Sequence, residues 1–171
     1  MTQTLPYRAN VGALLFNAAG LVFVGRRADR PTAWQLPQGG VDEGEDPRVA
    51  VLRELAEEIG TANAEIIAEH PEMLTYDLPP ELVGVAFRGR YRGQRQRWFA
   101  LRFLGSDAEI RLDADPHPEF TEWRWARLAE LPELAVAFKR PIYEELARHF
   151  AHLADARLAD ARLAEARPGA A

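Results

Sequence analysis

The 171-residue chain contains no cysteine. Disulfides, thiolate nucleophiles and cysteine-based zinc sites are therefore excluded, and the composition suits a reducing compartment. No apolar run approaches the roughly 18 residues that a membrane-spanning helix requires. The N-terminal MTQTLPYRAN lacks the charged-then-apolar layout of a secretion signal. The expectation is a cytoplasmic protein without a membrane partner. Net charge is −5, which argues against a uniformly basic nucleic-acid-coating surface, and no DNA partner is expected. One segment lacks acids altogether: between Arg88 and Arg102 stand six arginines, Arg88, Arg90, Arg92, Arg95, Arg97 and Arg102. These are either a solvated loop and strand face or a local attractor for a polyphosphate or an RNA 5′ end.

What is present is the composition of one globular domain, 47 % hydrophobic and 27 % charged. Short apolar runs at Val11–Phe16 and Leu21–Gly25, separated by Asn17-Ala18-Ala19-Gly20, predict a hairpin. Trp34-Gln35-Leu36 is expected to be extended because proline follows it, and Pro37-Gln38-Gly39-Gly40 to turn. Further strands are expected at Glu65–Glu69, Met73–Asp77, Arg97–Leu104 and Glu122–Ala126. Trp98 sits in the most apolar of these and reads as core, with base stacking as its alternative role. A helix is capped by Asp46, starts at Pro47 and closes at Gly60. Another begins near Ala137 or Pro141 and runs through Phe150, with a short helical turn over Leu128–Leu134. Such elements predict an α/β fold, a mixed sheet covered by helices, over residues 1–150. Residues 151–171 carry the repeat LADAR-LADAR-LAEAR and read as a helical or frayed extension, with an oligomerisation element as the alternative. Their five-residue period advances about 140° per repeat, so the leucines form no single seam.

The Gly39–Thr61 stretch, GGVDEGEDPRVAVLRELAEEIGT, places Gly39, Glu45, Arg53, Glu54, Glu57, Glu58 and Gly60 in a fixed register. Glu54, Glu57 and Glu58 have i, i+3, i+4 spacing and share one helix face. Leu52, Leu55, Ala56 and Ile59 are expected to form the opposite, buried face. Glu54 and Glu58 repel each other, and a hard divalent cation, Mg²⁺ or Mn²⁺, would relieve that repulsion. Arg53 can grip a carboxylate through its planar fork. Gly39 permits a close approach of its carbonyl, and Gly60 fits the left-handed position that ends a helix. Three glutamates alone would describe any acidic helix face; the four additional positions in register set this one apart.

The register matches the Nudix pattern G-x5-E-x7-R-E-U-x-E-E-x-G-U at every fixed letter. The flanking stretches YRANVG (Tyr7–Gly12), WQLPQGG (Trp34–Gly40), GQRQRWF (Gly93–Phe99), PEFTEWRW (Pro118–Trp125) and FKRPIY (Phe138–Tyr143) narrow the likeness. Together they resemble the bacterial RNA pyrophosphohydrolase and dinucleoside polyphosphate hydrolase branch, from about Tyr7 to Phe150. The resemblance implies an α/β/α Nudix sandwich and metal-dependent hydrolysis of a diphosphate linkage. The substrates it implies are 5′-triphosphorylated RNA and dinucleoside polyphosphates such as diadenosine tetraphosphate. It further implies metal ligation by Gly39, Glu54, Glu57, Glu58 and Glu119, catalysis by Glu54, Glu57 and Arg53, and substrate binding by Arg8, Arg27, Tyr76 and Lys139. Ala9 stands where relatives commonly carry proline, and Thr61 replaces a bulky aliphatic residue. Neither change removes a chemical group. A pool-cleaning triphosphatase and a non-catalytic nucleotide- or RNA-binding module are the competing readings. The second predicts loss of a metal carboxylate, and none is lost here. Monomer and homodimer both remain open.

Overall fold

The computed structural model describes residues 4–155. Its centre is β1 (Tyr7–Phe16), which lies parallel to β7 (Gly93–Phe103) along its whole length. On its other side β1 pairs first with β4 (Gln38–Gly40) and then, at its end, with β2 (Val22–Arg27). The sheet order is β3-β2-β1-β7-β5, with β3 at Trp34–Gln35 and β5 at Ala64–Glu69. β6 (Leu74–Asp77) pairs antiparallel with the first part of β7, and β8 (Phe120–Ala126) with β2.

The strands alternate as a doubly covered sheet requires. In β1, Val11, Ala13 and Leu15 point to one face and pack with Ala50, Val51, Leu55 and Ile59 of α1 (Pro47–Ile59). Leu14 and Phe16 point to the other and pack with Ile142, Tyr143, Leu146 and Phe150, on or just beyond α3 (Arg140–His149). A short helix, α2 (Leu131–Leu134), buries Leu131 beside α3. The α/β/α layering implied by the resemblance is present. Trp98 is fully buried in the α3-side core and edge-on to Tyr143, so it is core and not a stacking platform. Residues 151–155 are helical, and Ala154 is buried against the same core. The rest of the repeat, 156–171, lies outside the described residues.

Local chemistry accounts for the elements that were expected. Asn17 Oδ1 accepts from the backbone N–H of Ala19 and Leu21, both at 3.0 Å, and closes the first hairpin. Asp46 Oδ1 accepts from Arg48 N at 2.8 Å and caps α1, with Pro47 at its first position. Gly60 ends the helix at φ 76°, a left-handed conformation.

Two expectations are corrected. Gln38–Gly40 is not a turn but a strand, because β1 offers it a free edge at Asn10–Gly12. The face assignment on α1 is also wrong. Its buried arc contains Ala50, Val51, Glu54, Leu55, Glu58 and Ile59, whereas Ala56 is exposed and Leu52 half-buried. Glu54 and Glu58 therefore lie within the arc that faces the sheet. They are flanked there by Ala50, Val51 and Leu55, and β4 passes above them.

Candidate active site

The helix α1 and strand β4 approach each other so closely that Gly39 has no room for a side chain. A Cβ at this position would overlap the Glu54 carboxylate. Gln38 N donates to Glu58 Oε2 at 3.2 Å from the same strand. Glu54 and Glu58 are each only 9 % exposed. Burial raises the Glu54 carboxyl to about 7, partly offset by hydrogen bonding to Arg53 and reinforced by the charge of Glu57. Glu58 is held well above the usual carboxylate range, again chiefly by burial, with repulsion from Glu119 and Glu54 added.

Arg53 braces the cluster from beside it. Its Nε donates to Glu45 Oε2 and its Nη2 to Glu45 Oε1, both at 2.8 Å. Nη2 also donates to the Gly40 carbonyl at 2.8 Å. Nη1 donates to Glu54 Oε1 at 2.9 Å and to Glu57 Oε1 at 3.1 Å. One guanidinium thus ties the loop before α1, strand β4 and two helix carboxylates together. Its hydrogen bonds to Glu45, with a further one from Asp42 N–H, pull the Glu45 carboxyl down to about 2. Glu57 is the most open of the helix carboxylates, its side chain 47 % exposed.

Cations share the cavity with the carboxylates. Lys139 is 4 % exposed, donates from Nζ to Gln35 Oε1 at 2.9 Å, and lies 5.5 Å from the Tyr76 ring centre. Burial lowers its ammonium to about 7, helped by the Arg27 charge and opposed by Glu119 and Glu58. Arg27 is forked onto Asp29 at 2.8 and 2.6 Å. Arg8 donates from Nη1 to Gln94 Oε1 at 3.2 Å and sits 5.1 Å above Phe87. Tyr76 is buried, and its hydroxyl accepts from Gln94 Nε2 at 2.6 Å.

These groups line one cavity of about 510 Å³. Gly39, Glu54, Glu58, Glu119, Arg8, Arg27, Tyr76 and Lys139 all border it. Arg53, Glu45 and Glu57 do not line it and form its outer brace. Gly60 lies at the far end of α1, where it closes the helix.

Sequence reasoning missed the amides. Gln96 Nε2 donates to Asn10 Oδ1 at 2.9 Å and to Gln38 Oε1 at 3.0 Å, and its Oε1 accepts from Trp98 Nε1 at 3.2 Å. Gln35, Gln38, Gln94 and Asn10 line the cavity, as do Phe87 and Phe138. The signal was there: Gln94, Gln96 and Trp98 alternate with Arg95 and Arg97, so the amides belong to the inward face. The same alternation divides the arginine-rich segment. Arg97 pairs with Glu69 at 2.5 Å and Arg92 with Asp77 at 3.1 Å, while Arg88, Arg90 and Arg95 are exposed.

The donor set fits a divalent cation. Buried carboxylates crowded with too few cations are costly unless a positive charge joins them, and every ligating atom on this side is an oxygen. Among the described residues no helix is long and apolar enough to cross a membrane.

Residues 6–146 match the family model described as "NUDIX domain". The chain is 64 % identical over 154 residues to the RNA pyrophosphohydrolase of Acidiphilium cryptum, covering 88 % of this chain and 93 % of that protein. It is 57 % identical over 158 residues to the RNA pyrophosphohydrolase of Gluconacetobacter diazotrophicus, covering 88 % of this chain and 95 % of that one. Among solved structures, the E. coli dihydroneopterin triphosphate pyrophosphohydrolase superposes with a TM-score of 0.64 at 19 % identity. That match covers 84 % of this chain and 99 % of the other, a likeness of fold.

Proposed function

The chain belongs to the NUDIX domain family, and from that premise we propose that it trims the 5′ triphosphate of RNA to a 5′ monophosphate in the cytoplasm. One observation carries the reading. A single cavity is lined both by the carboxylates Glu54, Glu58 and Glu119 and by the cations Arg8, Arg27 and Lys139. An anionic phosphate chain fits among them only with a further cation beside the carboxylates. Relatives at 64 % and 57 % identity bearing the name RNA pyrophosphohydrolase support RNA as the substrate.

Gly39 through its carbonyl, and Glu54, Glu57, Glu58 and Glu119 through their carboxylates, would hold Mg²⁺, with Mn²⁺ as a substitute. Such a cation, when bound, neutralises phosphate oxygens and lowers the pKa of a water. The chain's own groups then do the rest. Arg8, Arg27 and Lys139 bind phosphate oxygens, Lys139 held in place by Gln35. Tyr76 forms the wall against which the nucleotide end rests. Glu54 takes the proton of the attacking water: Arg53 holds its Oε1, and Oε2 has no hydrogen-bond partner among the described residues. Water attacks phosphorus in line with the departing phosphate oxygen, so no covalent enzyme intermediate forms.

The test compares kcat/KM for triphosphorylated RNA and diadenosine tetraphosphate at matched concentrations, in Mg²⁺ and in Mn²⁺. RNA should be preferred by at least about tenfold, and the ratio of phosphate to pyrophosphate released identifies the bond cleaved. A preference for diadenosine tetraphosphate would make the chain a dinucleoside polyphosphate hydrolase instead.

A further inference from the structure

On the α3 side of the sheet, remote in sequence from the Nudix segment, three potential ligands converge. His70 follows β5 at the turn into β6, while Glu145 and His149 lie one turn apart on α3. One ligand atom from each falls within 4.8 Å of the other two. His70 is 2 % exposed. Its Nε2 lies 3.0 Å from Glu145 Oε1, and its ring centre 4.4 Å from that of His149. The spacing Glu145-x3-His149 is the i, i+4 arrangement by which one helix face presents two ligands to one ion.

We propose that His70, Glu145 and His149 form a second metal site, for a transition-metal ion of the zinc class, that clips the β5–β6 turn to α3. Two imidazoles and a carboxylate are the donor set that Zn²⁺ takes and Mg²⁺ does not, the reverse of the all-oxygen active site. Tetrahedral ligation at zinc distances spaces ligand atoms about 3.4 Å apart, so the three must draw inward by an ångström or so. Glu145 and His149 can do this by side-chain rotation on α3. His70 is already held in place: its Nδ1 lies 3.1 Å from both the carbonyl oxygen and the N–H of Glu72. In the metal-free chain Nε2–H donates to Glu145 Oε1 while Nδ1 accepts from Glu72 N–H. When the ion takes Nε2, the proton moves to Nδ1, where the Glu72 carbonyl accepts it, the backing that ligating histidines usually have.

One group competes. Arg148 donates to Glu145 Oε2 at 2.9 Å and to Oε1 at 2.6 Å. Its side chain is 71 % exposed, so it can turn into solvent at little cost when the ion binds. The helix so clipped is the one whose Tyr143 hydroxyl accepts from Leu36 N at 2.9 Å, just beyond β3. Lys139 caps the same helix, but none of the three ligands borders the phosphate-binding cavity.

The test uses the full chain, stripped of metal and then held in saturating Mg²⁺ so that the active site is occupied. Zn²⁺ is titrated against a chromogenic chelator, Co²⁺ is added in parallel, and Tm is followed with and without Zn²⁺. The wild-type chain should bind one Zn²⁺, give the intense visible band of four-coordinate Co²⁺, and gain several degrees in Tm. His149→Ala and Glu145→Gln should each lower Zn²⁺ affinity by at least about tenfold and lose the Tm gain. Both should keep their far-UV spectrum and Mg²⁺-dependent hydrolysis. Equal Zn²⁺ affinity and equal Tm gain in the variants would overturn the proposal, as would a Co²⁺ spectrum showing only six-coordinate metal.

Discussion

Gly39 and Glu54 occupy adjoining space so tightly that the backbone of one replaces the side chain it lacks against the carboxylate of the other. A methyl group at position 39 cannot be added without displacing that carboxylate. Gly39→Ala should fold normally, since β4 keeps its pairing with β1, yet kcat should fall on the order of a hundredfold from misplacement of about an ångström. Circular dichroism and steady-state kinetics across a metal titration separate the two effects. An alanine variant with wild-type kcat would show that the contact has no bearing on the chemistry.

Glu57 is the most open carboxylate of the helix and shares Arg53 with Glu45 and Glu54. Glu57→Gln should preserve the fold and lower kcat by about 10²–10⁴-fold. Turnover near that of the unaltered chain in Mg²⁺ would remove Glu57 from the catalytic set.

Lys139 offers a way to separate binding from stability. Lys139→Met removes a buried ammonium whose charge is disfavoured there, while Gln35 Oε1 keeps Arg27 Nη1 at 3.4 Å. Tm should stay level or rise, whereas KM should increase about tenfold or more through lost phosphate binding. A fall in Tm with KM unchanged would make Lys139 a structural residue.

Acid stability should depend on Glu45. Its folded carboxyl is depressed to about 2 by Arg53 and Asp42 N–H, against a usual value of about 4.5. Its stabilisation is therefore complete above the unfolded value and is lost as pH falls through the folded one. Urea midpoints measured from neutral pH down to about 2 should fall less steeply for Glu45→Gln than for the unaltered chain. Parallel curves would mean that the clamp contributes nothing to acid stability.

The amide network predicts a cost in stability. Gln96→Leu strands Asn10 Oδ1, Gln38 Oε1 and Trp98 Nε1, and should cost about 1–3 kcal/mol. The exposed neighbour Arg95→Gln should stay within about 0.5 kcal/mol of the unaltered chain. Denaturant midpoints with unchanged m-values check both, and equal midpoints for the two variants would show the network to be energetically idle.

Much of this molecule was legible in the sequence because it depends on neighbours along the chain. The Asp46 cap, Pro47, the Gly60 stop, the hairpin at Asn17–Gly20 and the alternation of β1 and β7 are short-range effects. The Nudix register likewise fixed the relative angles of Glu54, Glu57 and Glu58, since helical periodicity sets spacing along a face.

Periodicity does not say which arc meets the sheet. On α1 the apolar residues occur on both sides: Ala50, Val51, Leu55 and Ile59 on one, Leu52 and Ala56 on the other. Only packing against β1 and β7 decided that Glu54 and Glu58 are buried among the first set. Gln38–Gly40 became a strand because a distant edge was free to pair. The charges of Glu119 and Lys139 act on Glu58, and Gln96 bonds Asn10, across separations that no local pattern encodes. The chain thus specified its carboxylates and cations by local rules. Tertiary structure decided that they line one cavity, because burial and long-range pairing depend on which surfaces the fold brings together.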